Sequence, residues 1–368
     1  MIYLKASKYH YTQRNYYFMN DDVKLTVCSF ENLYAAMLKC KRGIMWKDSA
    51  AGFVKNGLVN CCLLKDELLS GKYQIGKYTV FTITEPKRRV IVSTRIKDRV
   101  FQRSLCDNYL TENISKSFIY DNAACQIGKG TDFTRNRLKC HLQRHFRKYG
   151  CNGYILKCDI SDYFGSTPHV VACNAVRKRV SDEWVRTETE RIINSFTQGG
   201  DPSKGMGLGS QVTQLIQLAV LDDLDHFIKE TLHIKGYVRY MDDFILIHLD
   251  KEYLRNCREQ IKNRLATLGL QLSKKKTHIC PIAQPLHFLG FSFRLTPSGK
   301  VVMRVLPKKV THERRKLKKL VSRCKAGLMT RRDVDECFKS WVAHASKGDC
   351  YKLIASMTDY YYKLWEVM

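Results

Sequence analysis

The stretch Val238-Arg239-Tyr240-Met241-Asp242-Asp243-Phe244-Ile245-Leu246-Ile247 is the one from which the rest of the chain can be read. Two adjacent carboxylates sit between two apolar, strand-like runs, with neither Gly nor Pro among them. A strand that turns sharply at Met241-Asp242 and returns through Phe244 to Ile247 is mostly buried. Its acidic pair is then presented at the bend. Burying two unpaired carboxylates is costly enough that something positive must sit beside them, and a divalent metal is the simplest candidate. Taken alone, the same residues also fit a hairpin whose acids face water.

Working outward, Val212 to Glu230 reads as one long helix, with Leu215, Leu218, Ala219, Leu221, Leu224 and Phe227 on its apolar side. A polar, Gly-rich loop from Gln198 to Gly209 precedes it. Downstream, Tyr253 to Leu268 is helical, Gly269 caps it, and Leu270-Gln271-Leu272 leads to Ser273-Lys274-Lys275-Lys276-Thr277. Pro285 to Phe293 is a strand pair with a kink that Gly290 permits, and helices follow Pro307 with Leu317, Leu320 and Val321 as a core stripe. Further upstream, Tyr154 to Phe164 is a second strand ending in acids. Side chains alternate along a strand, so Asp159 and Asp162 point to opposite faces. Asp159 ends the buried run and is the metal candidate; Asp162 reads as a turn or helix-cap residue. Pro168 marks entry to a helix continuing through Val180.

The N-terminal part completes the pattern. Residues 1 to about 75 carry helical spacing, and Tyr78 to Ile83 is a strand. The segment Glu85-Pro86-Lys87-Arg88-Arg89-Val90-Ile91-Val92 then puts a basic cluster between two strands, where a triphosphate could be held. Arg95 opens a helix that runs towards Tyr109. The loop Gln126-Ile127-Gly128-Lys129-Gly130-Thr131 lacks the spacing of a nucleotide-binding P-loop, but its glycines let the backbone approach a phosphate or a base. A basic helix from Thr134 to Tyr149 follows.

Composition narrows the partners. The 368 residues hold 63 Lys+Arg against 35 Asp+Glu, a formal charge of +28, which suits nucleic acid. The excess is local: seven basic residues and no acid lie between Phe133 and Lys157, and nine between Lys308 and Lys325 with Glu313 opposing. The start Met1-Ile2-Tyr3-Leu4-Lys5 has no leader pattern and no run approaches membrane-spanning length, so a cytoplasmic protein without a membrane partner is expected. The 15 cysteines include no CxxC and read as free thiols; Cys337, His344 and Cys350 are poorly spaced for a metal.

One ordered set carries a resemblance. Arg89-Val90-Ile91, Asp159-Ile160 with Tyr163-Phe164, Gly205-Met206-Gly207-Leu208-Gly209 ahead of Thr213-Gln214, Tyr240-Met241-Asp242-Asp243, Lys276-Thr277 and Phe288-Leu289-Gly290-Phe291 follow one another at these separations. The set resembles the finger, palm and primer-grip motifs of reverse transcriptases, over roughly residues 30 to 345. The Gly128-Lys129-Gly130 loop is further similar to bacterial enzymes related to group II intron and diversity-generating retroelement reverse transcriptases. The resemblance implies an α+β, right-hand polymerase with fingers, a palm of antiparallel sheet on helices, and a helical thumb. Its boundaries are an N-terminal helical extension and fingers over 1–75, fingers and palm over 76–305, and a thumb over 306–368.

The implied chemistry is nucleotidyl transfer, with two Mg2+ ions stabilising the attacking and leaving oxygens. Asp159, Asp242 and Asp243 are the implied catalytic residues and, with Ile160, the implied metal set. Lys87 and Arg89 are expected to hold the triphosphate, since a guanidinium matches phosphate bidentately. Phe164 is expected to exclude a 2′-hydroxyl, and Leu208 to touch the incoming nucleotide. Lys276 is a candidate proton donor to pyrophosphate, with Lys274 and Lys275 as rival positions. Phe288, Leu289 and Gly290 are the expected primer grip, and Lys129, Arg135, Arg314, Arg315 and Lys318 the expected contacts to template and duplex. RNA template, DNA primer or cDNA, and dNTPs are the implied partners.

One position departs from the pattern. Many relatives carry a polar residue where Leu208 stands, and the change points to a permissive enzyme. The chain continues about 75 residues past the grip, which leaves room for a thumb but not for maturase or endonuclease extensions. The expected setting is a diversity-generating retroelement, with a small helical accessory protein. A defence-associated or retron-like enzyme with a cognate noncoding RNA is the alternative. A nucleic-acid-binding relative without catalysis is the alternative of another class, which the intact set of carboxylates disfavours.

Overall fold

The computed structural model describes residues 23–84, 88–197 and 201–366. They fall into two units. One joins the chain up to Lys116 with Ala172–Ile216; the other joins Ser117–Val171 with Gln217–Met368.

The first unit opens with the helices Val23–Cys28, Phe30–Cys40, Asp48–Lys55 and Gly57–Leu69. Leu33, Met37, Leu64 and Leu68 meet Val100, Phe101 and Leu105 of helix Ile96–Leu105 in its core. Ser29 starts the second helix by accepting from the Asn32 amide, the usual cap for an otherwise orphaned donor. β1 (Thr79–Ile83) and β2 (Arg89–Ser93) form an antiparallel pair in the register Thr79↔Ser93, with both strands largely exposed. In helix Glu183–Asn194, Asp182 accepts from the Val185 amide. Residues 201–210 contain neither helix nor ladder strand, as the Gly-rich composition predicts.

The second unit is built on a four-stranded antiparallel sheet. Its strands are β3 (Tyr154–Asp159), β4 (Gly236–Tyr240), β5 (Asp243–His248) and β6 (His278–Pro281), in the order β4-β5-β3-β6. A three-stranded meander of β7 (Leu286–Phe288), β8 (Phe291–Leu295) and β9 (Val301–Val305) follows. The basic helix runs Thr131–Tyr149, and Leu138 and Leu142 on its buried side face the sheet. From there one apolar core passes through Ile155, Val238 and Ile245 to Phe288, Phe291 and Phe293. It ends among the C-terminal helices Pro307–Lys325, Arg331–Ala345 and Tyr351–Glu366, where Leu317, Val321, Phe338 and Tyr361 are buried. Each such side chain contributes about 1.5–3 kcal/mol, so the sheet and the C-terminal helices share one hydrophobic stabilisation.

The long helix expected over Val212 to Glu230 is broken. Helix Gln211–Val220 ends at Leu221, Asp222–His226 follows, and Phe227–Thr231 is a π turn. The apolar stripe does not predict this, because the break serves two inward-turned acids. Asp222 accepts from Ser117, and Asp225 from Tyr237 and Arg239. All 15 cysteines are free thiols. No helix among the described residues is long and apolar enough to cross a membrane.

Candidate active site

β3 ends at Asp159 and β5 begins at Asp243, and the register places the two residues directly opposite. Cross-strand partners hold their Cβ atoms about 4.5–5.5 Å apart, so two carboxylates are forced together by the sheet itself. Asp242 occupies the turn between β4 and β5, where the Tyr240↔Asp243 pair closes the hairpin. The Ile160 amide donates to the Asp242 carbonyl at 3.3 Å, tying the turn to the end of β3. Met241, the first turn residue, has φ +57°, a left-handed conformation that costs a non-Gly residue roughly 1–3 kcal/mol. The surroundings must therefore hold it there.

Two lysines answer the acids. The Lys276 ammonium donates to both oxygens of Asp159, at 2.8 and 2.7 Å, while Asp159 itself is buried. Of the three adjacent lysines, Lys276 is the one that reaches the carboxylate. Lys157 lies two residues before Asp159 and so on the same face of β3. It donates to the His287 carbonyl at 2.9 Å and stands 3.6 Å from Asp243 Oδ1, an ion pair too long for a hydrogen bond. That Oδ1 is buried and lacks a hydrogen-bond partner. Burial, together with repulsion from Asp159 and Asp242 and against the pull of Lys157 and Lys276, pushes the Asp243 carboxyl up to about 6.

An orphaned buried oxygen, a raised carboxyl and a second carboxylate opposite it are the marks of a site that fits a hard cation. Among the described residues, no three His, Cys, Asp or Glu side chains lie close enough to hold a metal by themselves. Asp159 and Asp243 supply a pair, and further oxygens must come from elsewhere.

Asp162 does not join them. It sits exposed at the start of the one-turn helix Tyr163–Ser166 with φ +42°, and its side chain makes no capping bond. A Cβ at Gly165 would lie 2.3 Å from its Oδ2, so a side chain there would displace the exposed Asp162 carboxylate. Phe164 is half-buried and meets the buried Tyr163 edge-on, 5.9 Å between centroids. Tyr163 is fixed in turn by its hydroxyl, which donates to the Gln217 carbonyl. Arg89 and Leu208 belong to the first unit, on β2 and in the Gly-rich loop. Lys87 lies outside the described residues.

Phe288 is buried, and Leu289-Gly290 form the turn between β7 and β8 with φ +43° and +87°. A Cβ at Gly290 would fall 2.7 Å from the Lys309 ammonium, so that charge stands directly over the turn. Two of the expected template contacts are held by groups of this chain. Arg135 is 4% exposed: it donates to Thr131, Asp132 and the Leu289 carbonyl and lies over the Phe291 ring. Lys129 is turned onto the Tyr120 and Asn122 carbonyls and the Phe133 ring. In both cases local acceptors and π faces capture a charge that the sequence leaves unassigned. Arg314, Arg315 and Lys318 are all exposed on helix Pro307–Lys325, and Arg314 also packs over Tyr360 and reaches Met357.

Sequence reasoning missed Lys157 and Arg239. Each is a cation in an otherwise apolar strand, and that was the available signal: a charge forced into a buried run needs a partner.

The family model for reverse transcriptase (RNA-dependent DNA polymerase) matches residues 83–293, more than half of the chain. Protein YkfC of Escherichia coli (strain K12) is 23% identical over 276 residues, covering 62% of this chain and 69% of that protein. The group II intron-encoded protein LtrA of Lactococcus lactis subsp. cremoris is 38% identical over 74 residues, which span only 12% of its length. Among solved structures, apo telomerase from Candida tropicalis superposes with a TM-score of 0.50 at 12% identity, covering 62% of this chain and 48% of that one. Telomerase from Candida albicans with a fragment of telomeric RNA gives 0.50 at 13%, covering 80% and 59%. This chain thus spans about half to three fifths of the telomerase chains, and at such identity the likeness speaks for the polymerase fold alone. The chain belongs to the reverse transcriptase (RNA-dependent DNA polymerase) family.

Proposed function

We propose that this protein copies RNA into cDNA, with Asp159, Asp242 and Asp243 as its catalytic carboxylates. The observation that carries the reading is the Asp159↔Asp243 opposition, with an unpartnered buried oxygen on Asp243, inside the matched family segment. Asp159, Asp242 and Asp243, with Ile160 beside them, would hold Mg2+, and triphosphate oxygens would complete the coordination. Two bound Mg2+ ions supply charge stabilisation to the attacking and leaving oxygens of the in-line displacement.

The chain's own residues do the rest. Lys276 balances Asp159 in the free protein, and its exposed ammonium is free to turn to the triphosphate and to donate a proton to pyrophosphate. Lys157 keeps Asp243 from carrying its charge alone. Arg89, with Lys87, grips the β- and γ-phosphates. Phe164 fills the space a 2′-hydroxyl would need, and Leu208 gives an apolar, permissive contact to the nucleotide. The Leu289-Gly290 turn seats the primer end, while Arg315 and Lys318 follow the duplex backbone by charge. Domain boundaries near residues 75 and 305 separate fingers, palm and thumb.

We place the enzyme in the bacterial cytoplasm, in a diversity-generating retroelement, on the likeness of its Gly128-Lys129-Gly130 loop. Sequencing the nucleic acids that copurify with the protein tests this. Template-repeat RNA with its mutagenised cDNA supports it; cDNA of a structured noncoding RNA identifies the retron-like or defence setting instead.

A further inference from the structure

Arg239 stands immediately behind the acidic turn, two residues before Met241, and is fully buried. Its guanidinium reaches three groups. Nε donates to Asp225 Oδ1 at 2.7 Å, and Nη2 to Asp225 Oδ2 and to the Leu218 carbonyl. Nη1 donates to the Met241 carbonyl at 3.0 Å. Asp225 is also fully buried and accepts a further bond from the Tyr237 hydroxyl at 2.6 Å. The backbone on either side is fixed as well: the Arg239 amide donates to the Asp121 carbonyl, and the Ala123 amide to the Arg239 carbonyl.

We infer that Arg239 is a positioning residue for catalysis, whose guanidinium, held by Asp225, clamps the Met241 carbonyl and so fixes the left-handed turn that aims Asp242 and Asp243. The reasoning is geometric. Met241 is neither Gly nor Asn, so its φ of +57° is imposed from outside. A planar guanidinium with fixed donor directions can bridge one carboxylate and one carbonyl rigidly; a lysine ammonium cannot match both. The carbonyl it holds belongs to the peptide that leads directly into Asp242. A fully buried ion pair is a poor device for stability alone, since apolar residues of equal volume do as well or better. Its retention behind the carboxylates is accounted for by the geometry it imposes. The inference rests on the polymerase reading.

The test uses the full chain with Arg239→Lys, and with the double variant Arg239→Met/Asp225→Asn, which strands no buried charge. Two readouts are taken well below the melting temperature of each variant. One is steady-state primer extension on an RNA template; the other is Mn2+ binding to the free protein, followed by electron paramagnetic resonance. Outer-shell substitutions at metal sites cost about 10–100-fold. Both variants are accordingly expected to lose about that factor in kcat with KM for dNTP within about twofold, and to need about tenfold more Mn2+ for half-saturation. Folded variants with wild-type kcat and Mn2+ affinity overturn the inference, as does a loss confined to melting temperature. Wild-type protein that binds Mn2+ but extends no primer refutes the polymerase reading instead, and the Mn2+ arm then judges the clamp by itself.

Discussion

Two turns of the second unit meet the same geometric demand in different ways. Met241-Asp242, between β4 and β5, enters the left-handed region without a glycine; Leu289-Gly290, between β7 and β8, has one. Each has a buried arginine donating to a carbonyl of the turn: Arg239 to Met241 at 3.0 Å, Arg135 to Leu289 at 3.5 Å. The arginines differ in what holds them. Arg239 pairs with Asp225, itself 0% exposed, whereas Arg135 pairs with Asp132, whose side chain is 53% exposed. The turn that carries the carboxylates is thus held from inside by a desolvated ion pair. The turn proposed for the primer end has a glycine beside the left-handed Leu289, and the acid that holds its arginine is open to solvent.

The sharpest way to break this contrast is to remove each arginine. Arg239→Gln leaves the Asp225 carboxylate buried and uncompensated, a loss of about 3–5 kcal/mol. Arg135→Gln strands no buried acid. It forfeits a stacking contact, a solvent-exposed ion pair with Asp132 and hydrogen bonds to Thr131 and the Leu289 carbonyl, about 1–3 kcal/mol. Urea unfolding of the two variants checks the order, and equal losses would remove the distinction.

A second prediction concerns the charge the catalytic turn must carry. Asp243 holds its proton up to about pH 6 in the folded protein, above the ordinary 3.8. The folded state therefore binds more protons than the unfolded one between these values, and stability from this group falls as pH rises through that window. With divalent cations chelated, Asp243→Asn should stabilise the protein at pH 8 by on the order of 1–3 kcal/mol and have no such effect near pH 4. Thermal unfolding in chelator at the two pH values measures it; a destabilised variant at pH 8 would contradict the half-buried acid with its buried, unpartnered Oδ1.

The smallest effect is expected at the Leu289-Gly290 turn. Gly290→Ala places a Cβ 2.7 Å from the flexible end of Lys309 at φ +87°, costing about 1–2 kcal/mol. It should raise KM for primer–template while leaving KM for dNTP unchanged. A selective change in dNTP KM would mean that the turn touches the nucleotide instead.

Much of this was legible before the fold was seen. Apolar runs entering Asp159 and flanking Asp242-Asp243 announced β3, β4 and β5, whereas the opposition of Asp159 and Asp243 comes from the register of the sheet. What stayed hidden is what depends on partners distant in sequence. Arg135 looked like one more surface cation of a basic helix, and its acceptor at Leu289 lies 154 residues away. The break at Leu221 follows from Asp222 and Asp225 turning to Ser117 and Arg239, which no local periodicity encodes. The Arg239 clamp was on view in the opening stretch as a charge in a buried strand, but its partner had been counted into a helix.

The most direct test of the central claim is dNTP incorporation on a primed RNA template in Mg2+, comparing the wild-type protein with Asp242→Asn. Mg2+-dependent extension by the wild type, falling roughly 1,000-fold or more in the variant while its melting temperature holds, is the predicted result. Extension that persists in Asp242→Asn would contradict the assignment of the Met241-Asp242 turn as the catalytic centre.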